Sequence, residues 1–85
     1  MRRVGQARKR DANEGAIVDA LEAHGARCWR ISGKGCPDLL VAFRGRFMAL
    51  EVKSAKGRLT EAQADIPWPV VRTVDEAIRE VTNGR

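Results

Sequence analysis

Two acids and a lysine in this chain could form a reactive centre, although the second acid follows thirteen positions after the first. Asp38 is the first acid, and the second, Glu51, is followed two positions later by Lys53. Two carboxylates beside an ammonium group suit a hard divalent cation held against a phosphate. Such a centre requires the intervening segment to bring Asp38 back to Glu51.

The segment between the two acids has the pattern of a β-hairpin. Residues 39–43 and 47–52 are mainly apolar, and Arg44-Gly45-Arg46 between them is a short turn that contains glycine. Two apolar runs joined by such a turn are typical of two antiparallel strands. We therefore predict a hairpin over residues 38–52.

The register of this hairpin decides whether the acids meet. Folding about Gly45 places Glu51 opposite either Leu39 or Asp38, and in both cases the two carboxylates lie at one end of the ribbon. Side chains alternate between the faces of a strand, so Glu51 and Lys53 share a face. The sequence thus predicts two acids and a lysine side by side.

The remaining elements follow from capping and breaking signals. Asp11 and Glu14 have the spacing of a capping box, with Asp11 as N-cap, and the helix that follows should end at Gly25. We predict strands at residues 26–31 and 69–73, a short helix that starts at Thr60, and a last helix at residues 74–82. The order α-β-β-β-α-β-α indicates an α/β protein, a small mixed β-sheet flanked by helices.

Composition limits the classes of partner. The chain has 85 residues and a net charge of +5, which favours an anionic partner such as nucleic acid. We predict a basic N-terminal arm at residues 1–10 and a single domain at residues 11–85. No apolar run approaches the ~20 residues of a membrane span, so we expect no membrane partner. The two cysteines do not form a disulfide framework, which favours a reduced, cytoplasmic protein.

Four short patterns then occur in one order: Glu14, Gly35-x-Pro37-Asp38, Glu51-x-Lys53 and Gln63. In this order they resemble the PD-(D/E)xK nuclease superfamily, and within it the VRR-NUC family, especially its minimal stand-alone members from phages and prophages. The resemblance runs from about Asp11 to Val81. One departure is the stretch of residues 64–69, which replaces the longer helix that the family has after its glutamine.

The resemblance implies a restriction-endonuclease-like core and a metal-dependent DNA endonuclease without an organic cofactor. The catalytic residues would be Glu14, Asp38, Glu51, Lys53 and Gln63. Mg²⁺ or Mn²⁺ would be held by Asp38, Glu51 and the backbone carbonyl of Val52, with Glu14 at a second ion or in the outer sphere. Lys53 would orient or deprotonate the attacking water, and Gln63 would hold Lys53 or the phosphate.

The resemblance also implies a homodimer that cuts branched DNA such as Holliday junctions, in the bacterial host cytoplasm if a phage or prophage encodes it. The apolar residues 66–70 are a candidate dimer patch. The alternatives are a flap or single-strand nuclease and a catalytically silent basic DNA-binding module. Flanking phosphates would be gripped by a set of basic residues: Arg2, Arg3, Arg8, Lys9, Arg10, Lys34, Lys56 and Arg58.

Simpler interpretations exist for several of these residues. Glu51 and Lys53 could be a solvated pair at a strand end, and Glu14 and Gln63 could serve only as helix caps. His24, near a helix end, is interpreted as structural, and its spacing to the cysteines is not that of a zinc site. Trp29 and Trp68 are interpreted as core or interface residues rather than as platforms for nucleic-acid bases.

Overall fold

The computed structural model describes residues 11–59 and 61–83. Seven elements follow one another in the predicted order: α1 (Glu14–Ala23), β1 (Arg27–Arg30), β2 (Leu39–Phe43), β3 (Arg46–Val52), α2 (Glu61–Ala64), β4 (Val70–Val71) and α3 (Val74–Asn83). The prediction of an α/β protein with a mixed sheet is confirmed. The first and last strands are shorter than predicted, and α3 is one residue longer. The N-terminal arm, residues 1–10, lies outside the described residues.

The four strands form one sheet in the order β1-β2-β3-β4. The first three strands are antiparallel neighbours, whereas β4 runs parallel to β3, with Val52 paired to Val71. A parallel neighbour requires a crossover connection. Residues 53–69, which include α2, provide that connection from the end of β3 to the start of β4. The end of β3 therefore has the crossover segment and β4 next to it.

The hairpin of β2 and β3 turns through two residues, Arg44 and Gly45, both with positive φ (51° and 80°). This is the backbone that a type I′ hairpin turn requires. Phe43 pairs with Arg46 and Leu39 pairs with Leu50, which settles the register. Extending that register by one residue places Asp38 across from Glu51, in agreement with one of the two predicted registers.

The core lies between one face of the sheet and the two long helices. Alternate residues of β2 and β3 are buried on that face together with residues of α1 and α3, and the fully buried side chains include Ile17, Leu21, Leu39, Val41, Leu50, Val52, Val71 and Val81. The opposite face of the sheet has no long helix over it within the described residues. That face carries Glu51 and Lys53, because they alternate with the core residues Leu50 and Val52.

The ends of the helices partly follow the sequence. Gly25 has φ of +98° directly after α1, as predicted for a helix stop. Thr73 caps α3, since its Oγ1 accepts from the Glu76 N–H at 3.0 Å. The predicted cap of α1 is wrong: Asn13, not Asp11, is the N-cap, and Glu14 is the first helical residue rather than the third. Within the described residues, no helix has the length and apolarity to cross a bilayer.

The turn geometry gives a first test. Gly45→Ala should lower the free energy of unfolding by about 1–2 kcal/mol, because an L-residue is strained at positive φ. No atom lies within 4 Å of the position that the new Cβ would take, so the effect should be conformational rather than steric. Gly45→Asn, which tolerates the same backbone, is the matched control and should cost less. Urea denaturation measures both; equal losses would contradict the type I′ assignment.

Candidate functional site

Asp38 and Glu51 are joined through the backbone of β3. The Val52 N–H donates to Asp38 Oδ2 at 2.8 Å, and the Asp38 N–H donates to the Leu50 carbonyl at 3.1 Å. The Asp38 carboxylate therefore touches the residue directly after Glu51. Asp38 is 7 % exposed and Glu51 3 % exposed. Charged groups are rarely buried to this extent without hydrogen-bonding partners, so the pair has a specific environment.

Two neutral donors fix the Glu51 carboxylate. Gln63 Nε2 donates to Oε2 at 3.1 Å, and the Trp68 indole N–H donates to Oε1 at 2.9 Å. Gln63 was predicted at this site, but Trp68 was not. The interpretation of Trp68 as a core or interface residue did not include this contact: the side chain is half-buried and bound to a site acid. The signal for this role in the sequence was the proline on each side of Trp68, because proline restricts the backbone of a segment.

The strand end that carries Lys53 is fastened to the start of α1. The Asn13 side-chain amide donates to the carbonyls of Lys53, at 3.1 Å, and of Arg72, at 2.8 Å. Lys53 in turn donates its N–H to the Val71 carbonyl at 3.0 Å. Two carbonyl partners settle which end of the Asn13 amide is nitrogen. These contacts of Asn13 were not predicted from the sequence, in which the one sign of its role is its position directly before a helix.

Glu14 is buried at 3 % exposure and forms an ion pair with Arg30, whose Nε lies 3.4 Å from Glu14 Oε2. Within residues 11–59 and 61–83, no three His, Cys, Asp or Glu side chains come together as metal ligands. Glu14 therefore does not complete a three-acid cluster with Asp38 and Glu51. Its position at the first turn of α1 places it on the helix layer of the sheet, beside Arg30.

The predicted phosphate-binding residues lie in two loops. Lys34, Lys56 and Arg58 are exposed, and residues 54–59 follow the site strand directly. The Arg72 guanidinium holds this second loop by donating to the carbonyls of Ser54 and Gly57. Sequence reasoning missed this role of Arg72. The other predicted basic residues, Arg2, Arg3, Arg8, Lys9 and Arg10, lie outside the described residues.

The atoms at the end of the hairpin that could bind a metal ion are all oxygens. Each carboxylate oxygen has two lone pairs, so one carboxylate can accept from a protein donor and also bind a cation. The Val52 carbonyl is directed to the same side of β3 as the Val52 N–H, towards Asp38, because both groups of one strand residue point the same way. Two carboxylates and one carbonyl fit a hard cation such as Mg²⁺, which keeps several of its waters.

The softer ligands of the chain are one histidine and two cysteines. His24 Nδ1 lies 3.0 Å from the Ala20 carbonyl, which agrees with a structural role. Both cysteines are free. Burial, together with the nearby Glu22 charge, raises the pKa of Cys28 to about 11, so this residue is a neutral thiol near pH 7. A thiol is neither a good nucleophile nor a good metal ligand.

No match to this chain is found among protein-family models, curated proteins or solved structures. The geometry of the site therefore carries the functional argument.

The Asn13 contacts give a second test. Asn13→Ala should lower the free energy of unfolding by about 1–3 kcal/mol, because two carbonyls lose their donor. Asn13→Asp should cost more near pH 7, since a carboxylate cannot donate and its charge would face two carbonyl oxygens. That cost should shrink as pH falls, because a protonated carboxyl can donate one hydrogen bond.

Asn83→Ala, the same change at an exposed helix end, is the control and should be near neutral. Urea denaturation between pH 4 and 8 measures all three variants. An Asn13→Asp protein that is as stable at pH 8 as at pH 4 would contradict the assigned contacts.

Proposed function

We propose that this protein is a metal-dependent DNA endonuclease that hydrolyses phosphodiester bonds in branched DNA. The observation that carries the proposal is the 2.8 Å hydrogen bond from the Val52 N–H to Asp38 Oδ2. It ties Asp38 to the backbone directly after Glu51, so two buried acids lie at one strand end, the second of them two residues before a lysine. A protein that only binds DNA has no need to collect carboxylates where phosphate must approach.

The topology supports the proposal. An antiparallel β1-β2-β3 unit after a helix, followed by a parallel β4, agrees with the element order that the resemblance to PD-(D/E)xK nucleases implies. The acids stand at the positions that the motif assigns, before β2 and near the end of β3. The four-residue α2 is the departure from the family pattern, yet Gln63 on it still reaches Glu51.

The chain's own residues would divide the work as follows. Asp38, Glu51 and the Val52 carbonyl would hold Mg²⁺ or Mn²⁺, which supplies Lewis-acid activation of the scissile phosphate and of water. Lys53, on the same face as Glu51, would orient or deprotonate the attacking water and offset developing negative charge. Gln63 and Trp68 would keep the Glu51 carboxylate in one orientation. Glu14, paired with Arg30, would act at most from the outer sphere.

The distribution of charge indicates which side meets DNA. Helices α1 and α3 together hold six acids and one arginine. Residues 24–59, which contain the three antiparallel strands and their loops, hold eight lysines and arginines and two acids. A polyanion is attracted to the sheet and loops and repelled by the helix layer. The acids of the site are thus surrounded by the part of the chain that favours phosphate.

Branched DNA as substrate and a homodimer as the active form both belong to this proposal. Resolving a four-way junction takes two cuts on strands related by near-two-fold symmetry, and one chain offers one site, so a C2 dimer is the simplest arrangement. Trp68 and Pro69 of the predicted dimer patch contact Glu51, through the indole bond and through a 2.9 Å bond from the Glu51 N–H to the Pro69 carbonyl. An interface at this patch would therefore adjoin the site.

A catalytically silent DNA-binding module is the second candidate. It is favoured by one observation, that the described residues bring no third acid to Asp38 and Glu51. A cleavage assay decides between the two candidates. Which DNA the protein cuts decides between a junction-cutting enzyme and a flap or single-strand nuclease.

The site acids give the third test. Asp38→Asn and Glu51→Gln keep the shape and one acceptor oxygen, but they replace the other oxygen with an amide donor and remove the charge. Each should lower cleavage at least ~100-fold, because metal-assisted activation contributes several kcal/mol and 1.36 kcal/mol is tenfold in rate. DNA binding should be retained or tightened, since a negative charge beside phosphate is lost.

Asp65→Asn, an exposed acid just after α2, is the matched control and should cut normally. Cleavage of four-way junction, flap and linear duplex is measured side by side with Mg²⁺, Mn²⁺ and chelator. Cutting in chelator, or by the Asp38→Asn protein, would eliminate the mechanism. An absence of cutting on every substrate would favour the silent module.

Lys53 gives the fourth test. Lys53→Ala should lower the single-turnover rate by at least ~100-fold at saturating DNA, because its charge acts in the transition state. Lys53→Arg should also fail, since a planar guanidinium does not replace a compact ammonium. Arg79→Ala removes a charge from the exposed face of α3 and should leave the rate unchanged. A normal rate for Lys53→Ala would show that Lys53 is only a surface charge.

A further inference from the structure

The sheet face opposite the long helices carries two exposed aromatic rings. Three large apolar side chains are exposed among the described residues, and two of them, Trp29 at 43 % and Phe47 at 68 %, share this face. Their ring centroids are 6.3 Å apart with 34° between the planes. Trp29 was interpreted as a core or interface residue, and of these two the core is wrong, because the ring stands on an open face of the sheet.

The pairing of the strands explains why the rings meet. Trp29 pairs with Leu40, and Phe47 pairs with Ala42, so the two aromatics flank β2 from its two neighbouring strands. Ala42 and Ala49 on the same face are small and leave room for the rings to lean together over β2. The Arg27 guanidinium carbon lies 5.8 Å from the centroid of the Trp29 ring. We call the surface of Arg27, Trp29 and Phe47 the aromatic platform.

The aromatic platform lies on the same face as the site. Phe47, Ala49, Glu51 and Lys53 alternate along β3, so they project on one side. The four steps from Phe47 to Glu51 span about 13 Å at ~3.3 Å per residue. That is about four nucleotides at the ~3.4 Å stacking step of nucleic acid. A strand laid along β3 would reach both the platform and the acids.

We propose that the aromatic platform stacks unpaired bases of the DNA strand whose backbone passes the Asp38–Glu51 site. Every base has a π-face, and exposed aromatic rings with an adjacent arginine are the elements that bind single strands without reading sequence. The substrate would then be DNA with unpaired nucleotides within a few positions of the cut, as at a branch point or flap. The inference rests on the proposed function in taking nucleic acid as the partner.

A second copy of the chain fits this face less well. The exposed parts of the two rings amount to only about 200 Å², taking ~150–250 Å² for a whole aromatic side chain, whereas a stable interface needs roughly 800 Å² from each partner. The platform and the face residues Leu40, Ala42 and Ala49 between its rings include no acid. A symmetric contact through the rings would therefore bring the two copies of Arg27 together without a counter-charge, which charge repulsion opposes.

The test measures binding in chelator, where no cleavage occurs. Fluorescence anisotropy is followed with a labelled 20-nucleotide thymidine strand and with a duplex of equal length. Trp29→Ala and Phe47→Ala should each weaken binding of the single strand by about tenfold or more, and binding of the duplex by less than about twofold, since only unpaired bases can stack on the rings. Leu59→Ala, which removes the third exposed apolar side chain, should change neither.

A second measurement does not depend on the variants. The wild-type protein is irradiated with a strand that contains 5-bromodeoxyuridine, and the cross-linked peptides are mapped; cross-links should fall on Trp29 or Phe47. Unchanged single-strand binding in both variants, or cross-links confined to other residues, would overturn the proposal. So would a wild-type dimer that both variants convert to monomers while single-strand binding stays intact, because the face would then join two copies.

The outcomes separate this proposal from the nuclease proposal. A protein that binds single strands through the platform but cuts no DNA would refute the nuclease and leave the platform standing. A protein that cuts branched DNA at the wild-type rate without either aromatic ring, and binds single strands equally well, would refute only the platform.

Discussion

The backbone N–H of Val52 is the group on which the arrangement of the site depends. In a regular hairpin this group would donate to a carbonyl of the neighbouring strand. Here β2 begins only at Leu39, so the donor meets the side chain of Asp38 instead. A hydrogen bond to a charged acceptor is worth about 1.5–3 kcal/mol, more than a neutral one. The end of the hairpin is thus closed by a carboxylate, which places that charge beside the next acid along β3.

The neighbouring contacts extend this constraint. Gln63 and Trp68 fix the Glu51 carboxylate from the crossover segment, and Asn13 fixes the Lys53 backbone from the start of α1. The three contacts come from two parts of the chain, the crossover segment and the start of α1. Each contact reaches the end of β3 or the residue after it, and within the described residues Glu51 and Val52 are the part of that strand with a parallel neighbour. The rigidity of the site is therefore a property of the whole domain rather than of the hairpin alone.

Local signals in the sequence predicted the hairpin and its two acids well. Where two partners are close in the chain, as Phe43 and Arg46 are, their pairing follows from the alternation of apolar residues, the glycine in the turn and the number of residues between them. The same signals missed the Asn13 contacts, whose partners lie 40 and 59 positions away. They also misplaced the cap of α1, because the Asn13 side chain is used for the sheet, and the helix begins without a side-chain cap. The choice between core and interface for Trp29 stayed open, because apolarity does not reveal which face of a sheet remains uncovered.

The separation of charge between the helix layer and the sheet gives the folded domain an electric dipole. Among the described residues, basic and acidic side chains are nearly equal in number, so the net charge of this part attracts no polyanion. Its dipole nevertheless exerts a torque in the field of a polyanion and turns the sheet towards it before any contact forms. The range of that torque is about the Debye length, ~8 Å at physiological ionic strength. Added salt would therefore first weaken the orientation of this domain as it approaches an anionic partner, rather than its attraction to that partner.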